Sequence, residues 1–152
     1  MEANQCIFCS IISGFARASI IYQDSYFIAL LDKYPFSYGH TLVIPRKHYA
    51  DFLEMPENEV GPLYTFVWFI AKVVSKAVKP EGFNIGQNNG RAANQIIPHV
   101  HVHIIPRFKE DIITGKWPSR HPVNDLELEN ISERIKSVMF ESDIRNASNT
   151  SP

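Results

Sequence analysis

The chain has 152 residues, 45% of them hydrophobic and 20% charged, which suits one compact domain with its own core and argues against a second domain. Fifteen basic and sixteen acidic residues give a net charge of −1, which argues against a broad surface for nucleic acid or an anionic membrane. The N-terminal residues lack the basic and apolar regions of a signal peptide, and every apolar run is too short to span a bilayer. We therefore expect a cytoplasmic protein with small or site-specific partners.

The first third of the chain contains short β-rich segments. The predicted elements are a short helix at residues 7–13 and strands at residues 20–23, 27–31 and 41–45, the first two strands forming a hairpin. Asp32 falls at the end of the second strand. Its carboxylate there is either a solvated turn residue or an acceptor for the two hydroxyls of a ribose.

A long amphipathic helix is predicted at residues 56–78, because apolar residues recur there every three or four positions. Pro56 suits the first turn of this helix, and Lys79-Pro80 suits its end. Aromatic residues such as Trp68 and Phe69 extend the apolar surface beyond one stripe. This favours packing on the sheet and on a partner subunit, although an excess of core aromatics would produce the same pattern.

A further strand is predicted at residues 83–87, followed by a polar loop at residues 88–95. The side-chain amides and free N–H groups of such a loop are reasonable donors to phosphate or ribose. A plain polar turn would have a similar sequence, so the loop alone does not identify a binding site.

Three histidines then alternate with apolar residues in His99-Val100-His101-Val102-His103-Ile104-Ile105. A strand over residues 99–105 would place the imidazoles on one face at intervals of about 6.6 Å and the apolar side chains on the other. Pro106 lacks the N–H that a sheet ladder needs, so strand pairing is expected to stop there.

Three roles suit these histidines. They could line a solvated strand face, they could hold a metal ion, or one neutral ring could attack phosphorus while its neighbours position it and help the leaving group depart. The spacing alone does not choose between these roles.

Cys6 and Cys9 form a C-x-x-C pair, the only cysteines in the chain. The pair could be redox-active, could form half of a zinc site, or could be two small buried residues. A thioredoxin-like role would require a strand before Cys6, and the preceding residues are too few to form one.

Residues 109–140 are predicted to form a C-terminal helical extension, with a helix that starts at the cap residue Asn124 and ends near Phe140. The polar residues 141–152 are expected to form a flexible tail. We expect His121 to be a surface residue and the segment 111–122 to shape the pocket for a leaving group.

The alternating histidines resemble the signature of the histidine triad (HIT) superfamily of nucleotide hydrolases and transferases. The similarity extends to Leu30-Leu31-Asp32, to residues 39–48 and to the loop 88–95, and covers about residues 6–108. The C-x-x-C start resembles the bacterial, zinc-binding Hint-like members. His103 argues against the galactose-1-phosphate uridylyltransferase branch, which is expected to carry another residue there.

This resemblance implies an α+β fold with a mostly antiparallel five-stranded sheet, one long helix and one or more short helices. Residues 1–140 would form a single HIT domain that includes the extension, and the sheets of two subunits would join in a homodimer.

The resemblance also implies a hydrolase of purine nucleotides, in the first place a nucleoside phosphoramidase acting through a nucleotidyl-histidine. A dinucleoside polyphosphate hydrolase and a nucleotide-binding regulatory protein are the alternatives. A further alternative, a metalloenzyme, would hold a catalytic metal ion at His101. The implied catalytic residues are His101 as nucleophile, His103 at the leaving group and His40 as support for the triad. Nucleotide-binding residues would be Asp32 at the ribose, Asn88, Gln95, His101 and His103. A structural Zn²⁺ ion would be held by Cys6, Cys9, His48 and His99.

Two residues depart from the family pattern: Asn94 stands where relatives commonly have Gly, and Ile96 where they often have Ser or Thr.

Overall fold

The computed structural model describes residues 6–114 and 119–148. Its sheet contains five strands in the order β1-β2-β3-β5-β4, and every neighbouring pair is antiparallel. The strands are β1 (Ile20–Gln23), β2 (Phe27–Leu31), β3 (Thr41–Pro45), β4 (Gly82–Gly86) and β5 (Val102–Arg107). The α-helices of the described residues are α1 (Ile7–Ile12), α2 (Glu57–Val78), α3 (Lys109–Thr114) and α4 (Asp125–Ser148).

This architecture confirms the predicted α+β fold. The bounds of β1, β2 and β3 agree with the sequence prediction, and α2 begins one residue after Pro56. The long helix ends where Lys79 adopts a left-handed conformation with φ of 51° and donates its backbone N–H to the Ser75 carbonyl. Pro80 cannot continue the helix because it has no N–H to give.

The predicted strand over residues 99–105 is wrong at both ends, since β5 begins at Val102 and continues through Pro106 to Arg107. At the start, the backbone N–H of Val100 donates to the Tyr49 carbonyl at 2.8 Å, so this residue bonds outside the ladder. At the end, the Arg107 carbonyl accepts from Glu81 on the β4 side.

The backbone carbonyl of Pro106 therefore faces the β3 side of the strand. Pro106 lies beyond the last residue pair between β3 and β5, which joins Thr41 and Ile104. Its carbonyl there accepts a hydrogen bond of 2.6 Å from the Ser37 hydroxyl. The missing N–H of Pro106 interrupts no ladder bond, which is why the strand continues through it.

The two faces of the sheet have different coverings. Cross-strand partners share a face, so Ala29, Val43 and Val102 lie together on the face that packs against α2 and α4. Leu42 and its partner His103 lie on the opposite face. That face is covered by the segment around α1, and it is where the polar side chains of the site gather.

Helix α4 packs against α2 and β1 through buried side chains that include Leu128, Ile131 and Ile135. Arg134 adds a bond from its Nε to the Ala77 carbonyl at 2.9 Å. The extension predicted from the sequence is therefore packed on the main core.

The N-terminal cap of α4 is Asn124, whose Oδ1 accepts from the Glu127 N–H at 2.9 Å as predicted. The predicted end near Phe140 is too early, because the helix continues to Ser148 through residues that include neither Gly nor Pro. Residues 149–152 of the expected tail lie outside the described residues. None of the helices described here combines the length and apolar character needed to cross a membrane.

Candidate active site and metal centre

The middle histidine of the triad is oriented by the backbone of the first. The Nδ1 of His101 lies 2.7 Å from the carbonyl oxygen of His99, and a carbonyl can only accept, so this nitrogen carries the proton. The lone pair of the neutral ring is therefore at Nε2. Phe8 packs edge-on against the His101 ring at 5.3 Å between centroids and limits its rotation.

A chain of hydrogen bonds defines the proton position on the third histidine. The Phe36 N–H donates to Nδ1 of His40 at 3.0 Å, so His40 carries its proton on Nε2. That Nε2–H lies 2.9 Å from Nδ1 of His103 and donates to it. His103 consequently carries its own proton on Nε2.

Burial keeps these rings neutral at physiological pH. Desolvation lowers the pKa of His40 to about 2 and that of His103 to about 3, and it also lowers the pKa of His101. The Nε2 atoms of His101 and His103 have no hydrogen-bond partner among the described residues. Every polar side-chain atom of the described residues that lacks a partner keeps some solvent exposure. The site thus offers one free imidazole lone pair beside one free imidazole N–H.

Asp32 lies at the edge of this histidine cluster. Its Oδ1 accepts from the Tyr34 N–H at 2.9 Å, and its Oδ2 lies 3.7 Å from His40 Nε2 and 3.5 Å from Arg120 Nη2. Burial raises the pKa of Asp32, while the Tyr34 hydrogen bond and the Arg120 charge lower it. The structure thus places this carboxylate beside the triad, and the ribose role predicted for it stays a prediction.

Gln95 is bound to the backbone through both ends of its amide. Its Nε2 donates to the Ala50 carbonyl at 2.7 Å and to the Ile97 carbonyl at 3.1 Å, and its Oε1 accepts from the Gly90 N–H at 2.6 Å. These bonds hold the loop at residues 88–95 against the segment that leads to the triad. A nucleotide contact by Gln95 stays a prediction and would compete with them.

The other predicted loop residue, Asn88, donates from Nδ2 to the Asn94 carbonyl at 3.3 Å. Its role as a nucleotide contact stays a prediction. Asn94 adopts a left-handed conformation with φ of 63°, and Asn tolerates this region better than other residues with a side chain. The departure from Gly at this position is therefore compatible with the same turn.

Four predicted zinc ligands, Cys6, Cys9, His48 and His99, converge on the same face of the sheet. Their donor atoms all lie within 4.8 Å of one another. The separations are 3.2 Å between the two histidine Nδ1 atoms, and 3.4, 3.3 and 3.6 Å for the contacts Cys6–His99, Cys9–His48 and Cys9–His99. A tetrahedral zinc ion separates its nitrogen and sulfur ligands by about 3.3–3.8 Å.

The hydrogen bonds around this cluster also fit a metal. His99 donates its Nε2–H to the Pro45 carbonyl at 2.8 Å, which leaves the Nδ1 lone pair directed at the cysteines. Burial raises the pKa of the Cys9 thiol to about 11, so a zinc ion would have to displace the thiol proton, as it does in thiolate sites. The donor set and its geometry therefore suit a closed structural zinc site.

A second group, Asp32, His40 and His103, also brings possible ligand atoms together. Its two facing nitrogens are 2.9 Å apart and share a hydrogen bond, and the cation beside the carboxylate is already Arg120. This arrangement is a hydrogen-bonded cluster. Neither group of candidate metal ligands in the described part of the chain includes His101.

Sequence analysis did not identify Arg120 and Phe36. The Arg120 guanidinium lies 4.3 Å from the centroid of the Phe36 ring, and this ring is stacked on His40 at 5.6 Å with an interplanar angle of 17°. The segment 111–122 was expected to border the site, but its pattern does not indicate which residue reaches it. Residues 115–118 of that segment lie outside the described residues, and His121 is exposed as predicted.

Comparison with known proteins assigns the family. The model of the HIT domain matches residues 14–110, and the chain therefore belongs to the HIT family. The uncharacterized HIT-like protein MJ0866 of Methanocaldococcus jannaschii is 42% identical over 133 residues, which cover 86% of this chain and 98% of that protein. The adenosine 5′-monophosphoramidase hnt1 of Schizosaccharomyces pombe is 39% identical over 133 residues, which cover 87% of this chain and 96% of that protein.

A solved structure shows the same fold. The Zn-bound histidine triad family protein from Mycobacterium smegmatis superposes with a TM-score of 0.81 at 33% identity, and the match covers 94% of this chain and 99% of that chain. These similarities support an enzyme with hydrolase-like activity on nucleotides, and together with the Cys/His cluster they suggest zinc binding.

The metal centre makes a first prediction. The purified protein is expected to contain one zinc ion per chain, and His48→Gln should lose it because one of four ligands is removed. His121→Gln, a substitution at an exposed histidine, should retain the ion. Zinc content measured by inductively coupled plasma mass spectrometry checks this, and an unchanged zinc content in the His48 variant would contradict the assigned ligand set.

The buried histidines predict a pH-dependent stability. Unfolded His40 takes up its proton near pH 6.5, whereas the folded residue does so only near pH 2. The free energy of unfolding should therefore fall as the pH drops below 6.5, by up to about 1.4 kcal/mol per pH unit for this residue. Urea unfolding of His40→Gln between pH 7.5 and 5 should show a shallower decline than the wild type, and His121→Gln should keep the wild-type slope.

Proposed function

We propose that this protein is a nucleotide hydrolase that cleaves the bond between the α-phosphorus of a nucleoside 5′-monophosphate derivative and its leaving group. Nucleoside phosphoramidates are the first substrate class. The observation that carries the proposal is the bond from His101 Nδ1 to the His99 carbonyl, which leaves the Nε2 lone pair free to attack. The relative named as an adenosine 5′-monophosphoramidase supports the same class.

In the proposed reaction, His101 Nε2 attacks the α-phosphorus and the bond from phosphorus to the leaving nitrogen breaks. His103 holds its Nε2–H toward the leaving atom and stabilises the charge that develops there. The leaving nitrogen takes up one proton from solvent and departs as the free amine. Water then cleaves the phosphorus–Nε2 bond, releases one proton and forms the nucleoside monophosphate, so one water molecule is consumed overall.

The remaining residues position these two rings and the substrate. His40 supports His103 because its Nε2–H fixes which nitrogen of His103 accepts. Asp32 is assigned to the ribose hydroxyls, and Asn88 and Gln95 to the phosphate side of the site. The bonds of Gln95 to Gly90 within its loop and to Ala50 outside it support a role in shaping that loop.

Zinc is assigned a structural role, with Cys6, Cys9, His48 and His99 as its ligands. The ion would tie the segment around α1 to the residue whose carbonyl orients His101. His99 itself takes no part in the chemistry, because both of its ring nitrogens are already engaged. Reduced cysteines are needed as ligands, and the two free thiols are consistent with the cytoplasmic location predicted from the sequence.

A homodimer is also part of the proposal. Among the strands of the described residues, β4 is an edge strand paired only with β5, and all five of its residues are exposed. Phe83 and Ile85, 47% and 45% exposed, share a face with Ile104 and hence with α2, where Trp68 is 60% exposed. A free edge beside such an apolar surface favours association with a second copy, which would join the two sheets.

Replacement of the nucleophile tests the reaction. His101→Ala should abolish hydrolysis of adenosine 5′-phosphoramidate while adenosine monophosphate still binds, because only the attacking nitrogen is lost. Tyr26→Ala is the control and should retain wild-type turnover, because the Tyr26 side chain is 73% exposed in the turn between β1 and β2. Mass spectrometry of wild-type protein quenched during turnover should detect an adenylylated peptide that contains His101. Hydrolysis by His101→Ala near the wild-type rate would refute the mechanism. If the wild-type protein binds the nucleotide but hydrolyses no substrate, a regulatory protein is indicated.

Sedimentation velocity tests the dimer. The wild type should sediment as a dimer, and Phe83→Glu should sediment as a monomer because a charge would be buried in the joined surface. Phe15→Glu is the matched control, since Phe15 is 90% exposed and lies beyond α1. A dimer that is equally stable in the Phe83 variant would show that a different surface is used.

A further inference from the structure

Arg120 reaches the site from a part of the chain that the HIT-domain match, residues 14–110, does not include. The residues that follow it are attached to the loop after β2. The Val123 N–H donates to the Lys33 carbonyl at 3.2 Å, and Lys33 Nζ lies 3.9 Å from a carboxylate oxygen of Asp125. These contacts place the segment against the same loop that carries Asp32.

The guanidinium is oriented by stacking and by charge. It lies over the Phe36 ring at 4.3 Å, and its Nη2 is 3.5 Å from the Oδ2 of Asp32. The Arg120 side chain is 34% exposed, whereas the Asp32 side chain is 9% exposed. A guanidinium has five N–H donors in a planar fork, and among the described residues this one long contact leaves most of them available.

The pairing has a chemical consequence for a sugar. Each of the two cis hydroxyls of a ribose is both a donor and an acceptor. A carboxylate accepts from these hydroxyls but cannot donate to their oxygens. A carboxylate beside an arginine supplies both functions, and the arginine charge also opposes part of the rise that burial causes in the Asp32 pKa.

We infer that Arg120 is a specificity-determining residue that acts with Asp32 to select ribonucleotides over deoxyribonucleotides. This inference rests on the proposed function, which places the ribose at Asp32. Arg120 donates to the 2′-hydroxyl of the ribose and holds the carboxylate in the orientation that accepts from the same hydroxyl. The sugar specificity of the enzyme thus depends on its C-terminal extension.

The test compares adenosine 5′-phosphoramidate with its 2′-deoxy counterpart in four proteins: wild type, Arg120→Gln, Arg120→Lys and the control Arg17→Gln, which changes an exposed arginine between α1 and β1. The wild type should prefer the ribose substrate. Arg120→Gln should reduce this preference about tenfold through a higher KM for the ribose substrate, because a hydrogen bond to a charged group is lost. The kcat values and the kinetics of the deoxy substrate should change little.

Arg120→Lys should restore part of the preference, and Arg17→Gln should retain all of it. An unchanged preference in Arg120→Gln would overturn the inference, and so would an equal loss on both substrates, which indicates a merely structural role.

Calorimetric binding of adenosine and 2′-deoxyadenosine 5′-monophosphate separates the two proposals. If wild-type protein hydrolyses neither substrate but its binding preference is lost in Arg120→Gln, the proposed function fails and the role of Arg120 stands. If the wild type binds both nucleotides equally, the role of Arg120 is overturned.

Discussion

The arrangement of the site depends on how His99 is held. Its Nδ1 faces Cys6, Cys9 and His48, its Nε2–H donates to a backbone carbonyl of β3, and its own carbonyl accepts from His101. Each bond removes one degree of freedom from a residue that lies just outside the regular strand. A residue held at three points can in turn hold the nucleophile, so the candidate metal centre and the candidate active site form one connected structure.

Burial supplies the other requirement, which is a neutral imidazole. A protonated ring has no lone pair for attack, and desolvation disfavours the charged form of His40, His101 and His103. The hydrogen bond from His40 then decides which nitrogen of His103 accepts and which donates. One face of the sheet thus carries two adjacent imidazole rings with opposite functions. His101 offers a lone pair at Nε2, and His103 offers an N–H at Nε2.

Much of the fold follows from local patterns, and β1, β2, β3 and α2 are predicted closely because alternation, helical periodicity and Pro56 act over a few residues. The predicted start of β5 is wrong because the N–H of Val100 bonds to Tyr49, which is distant in sequence. The predicted end is wrong because a proline interrupts a strand only where its missing N–H would face a paired neighbour, and β3 does not extend opposite Pro106. Both errors concern partners that a single segment does not specify.

The amino-acid sequence shows which residue types are available to the site: alternating imidazoles, a C-x-x-C pair and a carboxylate after β2, enough to indicate the family and a zinc-ligand set. The folded chain is needed to show which ring nitrogens carry protons, that four donor atoms lie at separations suited to zinc, and that Arg120 lies beside Asp32. Proton positions and ion pairs depend on distances between segments far apart in the chain. Such distances are defined only when the two faces of the sheet have been packed.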